Sequence, residues 1–176
     1  MYLYPEPQSR VIPLGCPAFF PGLKPSTHSL LATMTSPTQP PGSKSIAQIL
    51  ADARSRLDRV SPELAQEAHR ARGALLIDIR PEAQRKYFGE IPGALIVERN
   101  VLEWRLDPQS DAHLKNVPGV GTYEVEPIVF CQEGYTSSLA AASLKDLGLV
   151  KATDLDGGFK AWKEAGLPTT EGNAAS

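Results

Sequence analysis

From Ser45 onward, short apolar runs alternate with amphipathic stretches, and their order predicts alternating helices and strands. Ile46, Ile49, Leu50, Ala53 and Leu57 fall on one face of a helix over 45–57, with Ser45 and Gln48 spaced as a capping box. Ser61-Pro62 reads as N-cap and first position of a second helix, which runs to about Arg72 and stops at Gly73. Residues 74–79 form the first buried strand, and Pro81 opens a short helix carrying Glu82, Arg85 and Lys86. Turn residues over 89–93 lead into a strand over 94–97. Val101, Leu102 and Leu106 predict a brief helix that carries Trp104, and a long polar loop follows over 107–126, the length of a functional or mobile segment. Pro127–Phe130 is again a buried strand. From Ser137 the period changes: Ala140, Leu144 and Leu147, beside Leu139, give an apolar helix face that Gly148 ends. A last strand over 152–155 precedes a closing helix with Phe159 and Trp162, ended by Gly166-Leu-Pro168. Both tryptophans are expected in the core, and residues 169–176 are expected to fray. The alternation predicts an α/β fold, a parallel sheet covered by helices on both faces through right-handed crossovers.

Residues 1–44 differ in kind. They hold nine of the 16 prolines, with Ser and Thr between them, and are expected to be a disordered leader. Prolines break every candidate apolar core of a signal peptide. Met34 begins a more ordinary polar N-terminus, so residues 1–33 are expected to lie upstream of the true start. The domain is expected over 45–170 and a frayed tail over 171–176. A formal net charge of -2 gives no footprint for nucleic acid or an anionic membrane, and no apolar run approaches a membrane span. The two cysteines, Cys16 and Cys131, lie in unlike surroundings, and His28, His69 and His113 stand at no ligand spacing to either. No metal site or structural disulfide is expected, and the usage fits a reducing, cytoplasmic setting.

The chemistry concentrates at Cys131. It ends a buried strand, and the six-residue loop from Cys131 to Thr136 faces a helix N-terminus with its unpaired N–H groups and positive dipole end. That environment favours thiolate over thiol, and the exit of a strand is where open α/β sheets place ligands. The alternative is a structural cysteine at a strand end.

Five separated motifs then stand in order: Asp78-Ile-Arg80, Gly89-Glu-Ile-Pro-Gly-Ala94, Cys131-Gln-Glu-Gly-Tyr-Thr136, Leu155-Asp-Gly-Gly-Phe-Lys-Ala-Trp162 and Gly166-Leu-Pro168. Together they resemble the single-domain rhodanese-like proteins over about residues 58–168. The resemblance implies five mainly parallel strands flanked by helices, the helix over 45–57 being an addition. It implies a sulfurtransferase in which Cys131 takes a sulfane sulfur from a small donor such as thiosulfate, holds it as a persulfide, and passes it to cyanide, a thiol or a sulfur-accepting protein, with no cofactor. The alternative within the family is a weakly active module for protein binding or persulfide sensing. In this reading the backbone N–H groups of Gln132, Glu133, Gly134, Tyr135, Thr136 and Ser137 surround the persulfide, and Gly134 lets the loop curl. The hydroxyls of Thr136 and Ser137 either donate to the terminal sulfur or cap the helix. The related dual-specificity phosphatases use a longer loop with an arginine six positions after the cysteine, where this chain has Ser137. Glu133 departs from the basic loops of thiosulfate-using members and disfavours an anionic donor. Arg85 and Arg99 are the candidates for compensating charge and substrate contact, with surface ion pairs as the alternative for each. Asp78 and Arg80 are read as a structural pair bracing the loops.

Overall fold

A computed structural model describes residues 38–173. The leader and Cys16 therefore lie outside the described residues up to position 37, as do residues 174–176. Residues 38–41 belong to an N-terminal unit and carry no helix or strand, and the fold is built in the unit that begins at Gly42.

The sheet has four strands, β1 (Leu75–Asp78), β2 (Leu95–Ile96), β3 (Pro127–Phe130) and β4 (Thr153–Asp154), in the order β2-β1-β3-β4. Every pairing is parallel: Leu76 stands opposite Ile128, Ile77 opposite Leu95 and Val129, and Val129 opposite Asp154. The expected fifth strand is instead a single parallel bridge between Val60 and Leu155, on the far side of β4. The reason lies in the next two residues. Ser61 caps the following helix and Pro62, at its first position, has no N–H to give a ladder, so extended pairing ends after one residue.

Among the described residues six α-helices surround the sheet: α1 (Ile46–Arg54), α2 (Pro62–Arg72), α3 (Glu82–Phe88), α4 (Leu102–Leu106), α5 (Thr136–Asp146) and α6 (Gly158–Glu164). Ser45 and Gln48 form the capping box of α1, and Gly73 ends α2 in the left-handed conformation. Alternation along the strands divides the core. Ile77 and Val129 pack with Leu57, Leu102, Leu106, Ala140 and Leu144 on one face. Leu76, Ile128 and Phe130 pack with Ala65, Ala68, Phe159 and Trp162 on the other.

Two further expectations change. Trp104 is 59% exposed, because Leu102 and Leu106, four apart on the short α4, already occupy its buried face and Trp104 points away. The chain after Pro168 does not fray at once: Thr170 N–H donates to Glu90 O at 2.8 Å and Asn173 N–H to Lys86 O at 2.7 Å. The long loop over 107–126 is stitched by local turns, with Leu114, Val120 and Val125 packed on the first core cluster.

Candidate active site

Cys131 follows β3 directly, at its carboxyl end. From β1 the chain crosses to β2 on one side, whereas β3 continues to β4 on the other, so the strand order reverses between β1 and β3. Such a switch point leaves a crevice above the strand ends, and the loop from Cys131 sits beside it. The cysteine is half-buried, and its Sγ lies 3.5 Å from the Ser137 hydroxyl. Gly134 takes φ +76, and a Cβ there would stand 2.9 Å from Gly157 N, so only glycine closes this curl.

Three of the loop's carbonyls are tied to elements packed around it. Cys131 O accepts from Phe159 N–H at 2.9 Å and Gln132 O from Lys160 N–H at 3.0 Å, both in the first turn of α6. Gly158 makes this approach possible, since a Cβ on it would lie 2.4 Å from Cys131 O. Gly134 O accepts from Arg54 Nη2 at 2.8 Å, Ser138 Oγ at 3.1 Å and Arg59 Nη2 at 3.3 Å. By contrast, the backbone N–H groups of Gln132 through Ser137 donate to no group among the described residues. No side chain caps α5, so neither Thr136 nor Ser137 acts as an N-cap.

Beneath the loop lies the fully buried carboxylate of Asp154. It accepts from Ser138 Oγ at 2.7 Å, Ser137 Oγ at 3.3 Å and Arg59 Nε at 2.9 Å. Beside the loop, Arg80 and Asp78 form a pair with both side chains essentially buried, 2.6 Å between Nη2 and Oδ2. Arg80 also donates to Gly89 O at 2.9 Å and Gln132 Oε1 at 3.1 Å, and its guanidinium stacks 3.9 Å over the Phe159 ring. One arginine thus ties β1, the turn after α3, the cysteine loop and α6 together.

The other two predicted arginines are committed elsewhere. Arg85 is 8% exposed, donates to Arg80 O, and pairs with Glu90 at 3.2 Å. Arg99 is held by both carboxylate oxygens of Glu103, each at 2.8 Å. Neither bonds the loop, and each has a carboxylate partner of its own. Glu133 is exposed and has no ion-pair partner among the described residues; it lines a shallow recess of ≈ 250 Å³ with Tyr135, Lys160 and Glu164.

A family model for the rhodanese-like domain matches residues 61–165. The chain belongs to the rhodanese-like family. A curated relative, the thiosulfate sulfurtransferase GlpE of Pseudomonas putida, is 33% identical over 123 residues, which cover 68% of this chain and 98% of the relative. Among solved structures, a protein of Rhodopseudomonas palustris described as of unknown function and a possible tyrosine phosphatase superposes with a TM-score of 0.66 at 28% identity, covering 77% of this chain and 100% of its own. The polysulfide-sulfur transferase homodimer of Wolinella succinogenes gives 0.57 at 25% identity, covering 72% and 87%.

Against this rhodanese-like frame, sequence reasoning missed four residues: Arg54, Arg59, Ser138 and Asp154. Arg54 and Arg59 lie before the matched segment, and Asp154 sits in a strand whose motif was read only from Leu155 onward. The two arginines reach Gly134 across 75 and 80 positions, and no local periodicity encodes pairing at that distance. The one available signal was a carboxylate inside an expected buried strand, Asp154 within 152–155.

Proposed function

We propose that the protein is a sulfurtransferase working through a persulfide on Cys131. The observation that carries this reading is the division of the loop, with the carbonyls of Cys131, Gln132 and Gly134 tethered to neighbouring elements and six consecutive N–H groups beside the cysteine without acceptors among the described residues. A row of free N–H groups at the start of α5 is an anion cradle, suited to a thiolate and then to a terminal persulfide sulfur. In the first half-reaction the Cys131 thiolate attacks the outer sulfur of the donor. The Cys131–sulfur bond forms as the donor's sulfur–sulfur bond breaks, and that electron pair leaves with sulfite when the donor is thiosulfate, or with a thiolate when it is a persulfide. In the second half-reaction a thiolate or cyanide takes the terminal sulfur, and the electron pair of the breaking bond returns to Cys131. No net redox change occurs and no cofactor is needed.

Ser137 links the cysteine to the buried carboxylate, its hydroxyl accepting from Cys131 Sγ and donating to Asp154. Asp78 and Arg80 brace the loop through Gln132. Glu133 sets the preference: an unpaired carboxylate at the rim repels thiosulfate and favours a neutral or cationic persulfide or polysulfide donor. A phosphatase reading lacks the arginine six positions after the cysteine that grips phosphate, since Ser137 stands there.

The test is steady-state sulfur transfer to cyanide from thiosulfate and from a neutral persulfide, by wild type and Cys131→Ser. Thiocyanate from wild type alone is expected. No turnover with either donor would remove the enzyme reading and leave a binding or sensing module.

A further inference from the structure

The first helix, α1, precedes the segment that defines the family, yet it reaches the cysteine loop. Arg54, its last residue, makes three contacts there. Nη2 donates to Gly134 O at 2.8 Å, Nε donates to Ser138 Oγ at 3.2 Å, and the guanidinium lies 5.5 Å from the centre of the Tyr135 ring. We propose that α1 is part of the catalytic unit, and that Arg54 is a positioning residue holding the cysteine loop in its N–H-inward form. This rests on the sulfurtransferase reading above and names a residue of that site.

The argument turns on the Gly134 carbonyl. A loop that directs N–H groups at one centre must direct its carbonyls away from it, and a buried carbonyl without a donor costs about 1–3 kcal/mol. Gly134 has three donors, but two are shared. Arg59 is 3.3 Å away and is paired with Asp154 at 2.9 Å and Asp156 at 2.6 Å. Ser138 has a single hydroxyl proton and a nearer acceptor in Asp154, at 2.7 Å against 3.1 Å to Gly134. Arg54 has no carboxylate partner among the described residues, so its charge acts on the loop undivided. Its second bond, to Ser138 Oγ, leaves that hydroxyl's proton for Asp154 or Gly134. A cation on the Gly134 carbonyl also polarises the whole Gly134–Tyr135 peptide and makes the Tyr135 N–H a stronger donor to sulfur charge. Stacking over the exposed Tyr135 ring restrains the same peptide from outside.

The helix is built to bear this role. Its capping box fixes the start, Ala53 is buried, Leu57 just beyond the helix joins the core cluster that holds α5, and Arg56 pairs with Asp146 at the end of α5. Arg54 is therefore presented from a docked element.

The experiment compares the full chain with Arg54→Ala and Arg54→Lys by two readouts. One is the alkylation rate of Cys131 by iodoacetamide at neutral pH, which needs no sulfur transfer. The other is kcat and KM with a neutral persulfide donor and cyanide, alongside Tm. Arg54→Ala is expected to lower kcat by about 10- to 100-fold, as for a site displaced by a fraction of an ångström. KM should stay within about twofold, alkylation should slow, and Arg54→Lys should restore part of both. Wild-type kcat and alkylation in Arg54→Ala overturn the proposal. So does a loss carried by KM alone, or one matched by the unfolded fraction that Tm reports. If wild type transfers no sulfur while Arg54→Ala still slows alkylation, the sulfurtransferase reading fails and the role of Arg54 in the loop stands.

Discussion

The placement of Cys131 was legible because it is set locally: strand before, polar loop around, helix after. The Asp78–Arg80 pair was legible for the same reason, two positions apart at a strand exit. It is also where a point substitution should cost most, since both side chains are essentially buried. Asp78→Ala would strand the Arg80 guanidinium, and urea denaturation should show a loss of about 3 kcal/mol or more, the range for breaking a buried pair. Partners fixed by the fold alone were not legible. For Arg85 and Arg99 the ion-pair alternative was open in sequence but its partners were not named; they are Glu90 and Glu103, five and four positions on. Arg54 and Arg59 reach the loop from 75 or more positions away, where no short-range spacing signals contact. Glu133 is exposed with no ion-pair partner among the described residues, and it sets a kinetic prediction. Glu133→Lys should raise kcat/KM for thiosulfate by at least about threefold at low salt, with the gain shrinking as ionic strength rises. An unchanged or lower kcat/KM contradicts the assigned role.

At the scale of elements, caps and glycines carried the prediction well. Ser45 with Gln48, Ser61 with Pro62, and Gly73 mark helix ends through chemistry confined to a few neighbours. β3 keeps its expected bounds, whereas β1, β2 and β4 were read one residue too long at each end, because apolar runs continue past the residues that pair. The function of Gly158 appears only in three dimensions, where it lets α6 close on Cys131 O and Gly134 N. Gly158→Ala combines φ +64 with a Cβ 2.4 Å from that carbonyl, and should destabilise the protein by about 1–3 kcal/mol in urea melts. The link between α4 and α5 predicts a pH effect. Burial opposes the charge on Glu103, but the Ser143 hydroxyl, its own backbone N–H and Arg99 outweigh it, and the carboxyl is held below its ordinary value. Stability from a depressed carboxyl is complete above the unfolded value of about 4.3 and is lost as pH falls through the folded one. Wild type should therefore lose stability faster than Glu103→Gln as pH drops below about 4.3, and parallel curves would contradict this.

At the scale of the whole molecule, the order of helices and strands was enough for the layered α/β plan. Family membership follows from the matched segment over 61–165. No helix among the described residues is long and apolar enough to cross a membrane. What the plan provides is a rigid frame in which α1, α6 and the buried Asp154 hold one short loop from three sides. The central claim is that this loop carries sulfur on Cys131. Intact-protein mass spectrometry after exposure to thiosulfate, and separately to a neutral persulfide donor, tests it most directly on wild type and Cys131→Ser. A gain of about 32 Da on wild type alone, larger with the neutral donor and reversed by cyanide, is the predicted result. No gain with either donor, or an equal gain on Cys131→Ser, would contradict it.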